Sequence, residues 1–191
     1  MNMTRRDLLQ NVAILLGGSI VGGSVFSLSG CKSTDKQVNA LFSEKQVAYM
    51  NEIADTILPT TSSPGAKAAN VGSFMAVMVF DCYTEKDQKV FMDGLKKIDE
   101  LSEKQFNSSF VEASPEQRTQ LLTALDKEQK DYQGQKAKEA PSHYFRMMKE
   151  LAVLGYFSSK EGATQALRYL PVPGKYDGSY PYKKGDKAWA T

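Results

Sequence analysis

Residues 43–59 of the chain, SEKQVAYMNEIADTILP, contain the signals of one complete helix. Ser43 and Gln46 have the spacing of a capping box, in which each side chain satisfies a free backbone N–H at the helix start. The apolar residues that follow at helical spacing predict one buried face: Val47, Met50, Ile53, Ala54, Ile57 and Leu58. Pro59 ends the helix because it lacks a backbone N–H, and Pro64-Gly65 predicts a tight turn soon after it.

Two further helices are predicted downstream, and they differ in character. From Val71 to Tyr83 the chain is apolar on most sides, which predicts a central, buried helix. Thr84 with Asp87 can cap a third helix. Its predicted core face consists of Phe91, Leu95, Ile98 and Leu101.

Ser114-Pro115-Glu116-Gln117 is the clearest helix start in the chain, since it combines an N-cap, a proline at the first helical position and a capping glutamine. Its predicted core residues are Leu121, Leu122 and Leu125. The charged segment 126–140 is either the solvated end of this helix or a mobile loop.

Ser142 is predicted to open another helix, and Ser159–Leu167 a short last one. The inward residues of the former are Phe145, Met148, Leu151, Ala152 and Gly155. No convincing alternating strand and no internal repeat is evident. The sequence therefore predicts an all-α domain of five to six helices over 41–170, followed by an extended Pro/Gly/Tyr-rich C-terminal arm over 171–191.

The N-terminal segment resembles an export signal. Arg5 and Arg6 precede an uncharged, glycine-punctuated run that ends in Leu28-Ser29-Gly30-Cys31. The paired arginines resemble the twin-arginine signal of folded-protein export, and the last four residues resemble a lipobox, where Cys31 becomes lipidated. A transmembrane helix is the alternative, since about 18 apolar residues can span a bilayer. We expect a signal peptide over 1–30, a tether over 31–40 of about 30 Å when extended, and a lipid-anchored protein on the periplasmic side of a bacterial envelope.

Composition excludes several classes of function. The net charge of +2 argues against nucleic-acid binding, which needs a concentrated basic surface. With Cys31 lipidated, Cys82 is the only thiol and His143 the only histidine, so a disulfide, a zinc cluster and a c-type haem motif are all unavailable. No glycine-rich nucleotide loop follows the signal. We expect a chain with no redox cofactor and no catalytic or metal site of its own.

Three motifs resemble the small, third subunit of gluconate 2-dehydrogenase-type enzymes. They are the block Ala54–Ala66 (ADTILPTTSSPGA), the run Gly155–Ser159 (GYFSS) and the segment Pro173–Gly178 (PGKYDG). The resemblance extends over about residues 41–178. It implies a non-catalytic subunit that supports folding, export or stability of a large FAD-dependent flavoprotein of the glucose–methanol–choline type, which oxidises a sugar or sugar acid. A multihaem cytochrome c subunit often completes such complexes, and the lipobox adds a role as membrane anchor.

Four side chains carry groups that could take part in chemistry: Glu52, Asp55, His143 and Cys82. Glu52 and Asp55 share a helix face and form a conceivable acid/base pair, but no nucleophile or metal ligand accompanies them. We expect a solvated Glu52 and an Asp55 that bonds the turn Thr60–Ser63. His143 is expected at the surface or an interface, and Cys82 as a small buried residue, with a reactive thiol as the alternative.

Aromatic residues in the arm are the best candidates for a partner interface, because rigid aromatic side chains dominate interface energetics. They are Tyr176, Tyr180, Tyr182 and Trp189. An arm packed on its own domain, or a frayed tail, is the alternative. Pro64, Gly65, Tyr156 and Phe157 are secondary interface candidates, with core packing as their alternative.

A stand-alone envelope lipoprotein that binds a small ligand or a protein partner is the competing function. An enzyme in its own right is the weakest hypothesis, because the residue types that usually carry such chemistry are missing.

Overall fold

The computed structural model describes residues 41–172 and 174–190, and in this part of the chain it has five α-helices. These are α1 (Glu44–Ile57), α2 (Val71–Cys82), α3 (Glu85–Phe106), α4 (Pro115–Gln135) and α5 (Tyr144–Ser158). A π-helical turn at Gly162–Ala166 and two short strands, β1 (Arg168–Tyr169) and β2 (Trp189–Ala190), complete it. The all-α prediction is confirmed. The predicted export and lipidation residues Arg5, Arg6 and Cys31 lie outside the described residues.

Local capping signals start three of the helices as predicted. At α1, Gln46 N–H donates to Ser43 Oγ and Ser43 N–H donates to Gln46 Oε1, which forms a full capping box. Ser114 and Gln117 make the same pair of bonds at α4, with Pro115 at its first position. Thr84 Oγ1 accepts from Asp87 N–H at α3. These bonds join residues three apart, so they need no tertiary contact to form.

The start of α5 differs from the prediction. The helix begins at Tyr144 and its N-cap is His143, not Ser142. The imidazole Nδ1 accepts a hydrogen bond of 3.2 Å from Phe145 N–H, which replaces the bond that a serine hydroxyl would accept. In the charged segment 126–140, the predicted solvated end of the helix is confirmed for the first part. Helix α4 continues to Gln135, and a non-helical connection follows.

The centre of the domain is α5 rather than the predicted α2. Helix α5 contacts each of the other four helices. Helix α2 is buried on one face only, since Phe74, Val77, Met78 and Phe80 are half-buried. Gly155 explains the close approach of α2 and α5: a Cβ there would lie 2.5 Å from Phe74 Cδ1.

Fully buried aromatic and aliphatic side chains from every helix and from the connections fill the core; the largest are Phe42, Phe91, Phe110, Phe145, Met50 and Ile53. Phe42 precedes α1 and meets Phe91 of α3 edge to face, with ring centroids 6.1 Å apart. On α3, Leu101 is only half-buried, in contrast to the predicted four-residue face. Among the helices described, none has both the length and the hydrophobicity that a bilayer crossing requires.

The C-terminal end contains the small departure from an all-helical chain. The predicted last helix is the π-helical turn, and β1 then pairs in parallel with β2, with Arg168 opposite Trp189 and Tyr169 opposite Ala190. Two residues are too few for an alternating pattern, which is why no strand is predicted here.

Candidate partner-binding surfaces

The turn between α1 and α2 is closed by four hydrogen bonds. Ala66 N–H donates to Leu58 O, Thr61 N–H to Ser63 O, and Gly65 N–H to Thr60 Oγ1, at 2.9–3.0 Å. The fourth comes from α5, where the Tyr156 hydroxyl donates to Pro64 O at 2.6 Å. Two sequence motifs far apart in the chain therefore meet at one joint.

Gly65 sits where no side chain fits. A Cβ at this position would lie 2.6 Å from both Asp55 Oδ1 and Thr60 N. Asp55 accepts a hydrogen bond of 3.2 Å from Lys67 N–H, the residue after the turn. The prediction that Asp55 bonds Thr60–Ser63 is therefore wrong. Pro64, Gly65 and Tyr156 come together, but Gly65 is buried and Tyr156 is only 4% exposed. Tyr156 is therefore a core residue, which is the alternative to its predicted interface role.

Glu52 is an ion-pair centre, and the prediction of a solvated side chain is wrong. Its carboxylate contacts Lys67 Nζ on one oxygen and Arg118 Nη1 at 2.9 Å on the other. The Lys67 hydrogen bond, with that of Arg118, holds the pKa of Glu52 below its usual value despite partial burial. Arg118 also donates from Nε to Ala113 O at 3.0 Å. This carboxylate ties α1 to α4 and is not placed for acid/base chemistry.

His143 is buried, in contrast to the predicted surface position. Its ring stacks on that of Tyr144, with ring centroids 4.3 Å apart, and its Nε2 lies 3.3 Å from Glu128 Oε1. Because Nδ1 accepts the Phe145 N–H, the proton of the neutral ring belongs on Nε2, facing Glu128. The histidine serves helix α5 as a cap.

Cys82 is exposed, so the prediction of a buried residue is wrong. It is the last residue of α2, a helix that is buried on one face only.

The outer side of α5 carries an apolar surface that sequence reasoning only half identified. Phe157, a predicted interface residue, is 37% exposed and packs edge to face on Tyr156. Val153 and Leu154 are also exposed, and they line an open groove of about 440 Å³ next to Gln129 of α4. The sequence does indicate this apolar surface. Apolar residues run continuously from Leu151 to Leu154, whereas a solvated helix face would interrupt them with polar positions.

The arm is attached to the domain at its end and exposed along its length. The Arg168 guanidinium lies 3.7 Å from the Trp189 ring centroid and 5.4 Å from that of Tyr180. The end of the arm therefore packs on its own domain, which is the alternative to a partner interface. Tyr176 and Tyr182, in contrast, are 95% and 75% exposed.

Among residues 41–172 and 174–190, no group of three or more His, Cys, Asp or Glu side chains is placed to hold a metal ion.

Comparison with known proteins gives one match. Neither a curated protein nor a solved structure matches the chain. The family described as gluconate 2-dehydrogenase subunit 3 matches over residues 44–174, which include α1 to α5, the Pro64–Gly65 turn and the Tyr156–Phe157 pair. The chain therefore belongs to the gluconate 2-dehydrogenase subunit 3 family, whose name describes an accessory subunit of a dehydrogenase complex.

Proposed function

We propose that this chain is the non-catalytic small subunit of a membrane-associated, FAD-dependent dehydrogenase that oxidises a sugar or sugar acid. The large subunit, of the glucose–methanol–choline type, holds the FAD, and a cytochrome c subunit accepts its electrons. Family membership supports the complex. The observation that carries a binding role is the exposed apolar surface of α5, where Val153, Leu154 and Phe157 lie within one helical turn.

The small subunit also carries the large one through the membrane in this proposal. FAD is inserted during folding in the cytoplasm, so the flavoprotein has to cross already folded. The paired residues Arg5 and Arg6 give this chain a signal suited to that route. Cys31 then fixes the complex to the membrane, because a diacyl or triacyl cysteine exceeds what stable anchoring requires.

Co-purification tests the complex directly. Affinity purification of the full chain from native membranes should recover a yellow, FAD-containing protein in stoichiometric amount. A Leu154→Glu, Phe157→Glu double variant should recover far less of it, because two charges replace exposed apolar surface. Val111→Glu, on an exposed apolar residue between α3 and α4, is a control outside α5 and outside the arm. A chain that elutes alone would favour a stand-alone lipoprotein.

Export is tested with a large subunit that lacks a signal of its own. Arg5→Lys, Arg6→Lys should abolish dehydrogenase activity in the envelope while leaving it in the cytoplasm. Unchanged envelope activity would refute co-export. Cys31→Ala should move the exported complex from the membrane fraction to the soluble envelope fraction, and continued sedimentation with membranes would refute anchoring at this residue.

A further inference from the structure

The segment between β1 and β2 is a loop closed at both ends. Arg168 N–H donates to Ala188 O and Leu170 N–H donates to Ala190 O, both at 2.8 Å. Beside these bonds the Arg168 guanidinium stacks on Trp189, and Tyr180 packs on the same indole at 80° with ring centroids 5.5 Å apart. Together these contacts hold the two ends of the arm side by side.

Two local turns shape the loop between these ends. Asp177 Oδ1 accepts from Ser179 N–H at 3.1 Å, and Asp186 Oδ2 accepts from Lys183 N–H at 2.9 Å. Gly185 has φ of +97°, a conformation that other residues rarely adopt. The aspartate side chains are thus engaged with the loop backbone.

The surface of this loop is aromatic and basic. Tyr176 and Tyr182 are its most exposed rings, and Lys175, Lys183 and Lys184 stand near them in the chain. None of the ion pairs seen within the described ranges involves these three lysines. The loop also extends past residue 174, where the family match ends.

We propose that this loop, residues 175–184, docks onto an acidic surface of the large dehydrogenase subunit; the inference rests on the proposed function. Closure of the loop reduces the conformational entropy lost on binding. Tyr176 and Tyr182 provide rigid apolar area, and the lysines provide charge complementarity and electrostatic steering. The fixed turns favour a protein over a lipid surface as the partner. A protein surface can bind two rings at a defined spacing, whereas lipid headgroups bind mainly through charge.

Binding in detergent solution tests this proposal in the absence of a bilayer. The full chain is co-expressed with the large subunit and recovered through a tag on that subunit. Lys183→Glu, Lys184→Glu should lower recovery at least tenfold at 50 mM salt, as should Tyr176→Ala, Tyr182→Ala. The matched control Lys127→Glu, Lys138→Glu changes two other exposed lysines and should stay within twofold.

Arg168→Ala tests the closure of the loop. It leaves the loop residues in place but removes the stack on Trp189, and recovery should fall severalfold while far-UV circular dichroism is unchanged. Full recovery of both loop variants would overturn the inference and leave the proposed function intact. Failure of the tagged large subunit to recover the unaltered chain would overturn both the inference and the proposed function. Binding of the loop variants to vesicles with 30% phosphatidylglycerol is measured as well. If the variants lose only vesicle binding and keep full recovery with the large subunit, the loop is assigned to lipid and the docking proposal is overturned.

Discussion

Tyr156 donates its phenolic hydrogen to the carbonyl oxygen of Pro64, 2.6 Å away, and so joins two segments that are 92 residues apart. The Tyr156 ring is buried, and the hydrogen bond is partly shielded from solvent. A single hydroxyl thereby fixes the Pro59–Ala66 turn against α5. The two most specific motifs of the sequence are thus parts of one structural joint.

Tyr156→Phe removes that hydroxyl and keeps the ring. We expect a loss of about 1–2 kcal/mol in the free energy of unfolding, because a partly buried acceptor loses its partner. Urea unfolding followed by circular dichroism measures it. Tyr176→Phe, on a 95% exposed side chain, should change nothing. Equal stability of the two variants would contradict the role of the Pro64 bond.

Gly65→Ala should destabilise the chain by about 1–3 kcal/mol, because its Cβ would overlap Thr60 N and Asp55 Oδ1. Gly134→Ala is the matched control. It lies within α4 with nothing within 4 Å of an added Cβ, so it should stabilise by about 0.5–1 kcal/mol. Thermal unfolding midpoints should therefore move in opposite directions. A shift of both in the same direction would contradict the tight packing at Gly65.

Asp126 links the acid stability of the domain to a triad of α4 and α5. Hydrogen bonds from Lys130 and Lys149 lower the pKa of Asp126 to about 2 in the folded chain. A depressed pKa contributes stability that is complete above the ordinary value near 4 and is lost as pH falls towards 2. We expect Asp126→Asn to flatten the decline of unfolding free energy over this window. Parallel pH profiles for the two proteins would contradict the assignment.

Cys82 should react with a maleimide in the folded chain without prior denaturation, because it is exposed. Labelling monitored by intact mass also counts thiols. One label per exported chain is expected if Cys31 carries lipid, and two if it does not. Labelling of Cys82 only after denaturation would contradict its exposed position.

The interactions that sequence reasoning predicted well are short-range ones. Ser43 with Gln46, and Ser114 with Gln117, act over three residues and form wherever the helix starts. Glu52 could not be placed in this way, because its partner Arg118 is 66 residues distant and only the packing of α1 on α4 brings them together.

His143 and Cys82 show the same limit. Serine is the more common N-cap, so Ser142 was the reasonable choice, yet stacking on Tyr144 and proximity to Glu128 favour His143. The exposure of Cys82 depends on which face of α2 meets α5, and a helix that is apolar on most sides gives no indication of that. For the arm, the sequence singles out the aromatic residues, but it does not predict the stack of Arg168 on Trp189, which joins residues distant in the chain.

The burial of Phe42 has a mechanical consequence. Its ring packs against Phe91 inside the core. A force applied to the preceding chain is therefore resisted by packed side chains and not by a helix end alone. With Cys31 lipidated, as we propose, the eleven residue steps to Phe42 span at most about 40 Å. On the proposed lipid anchoring, Phe42 therefore marks the point from which the maximum distance between the domain and the bilayer is measured.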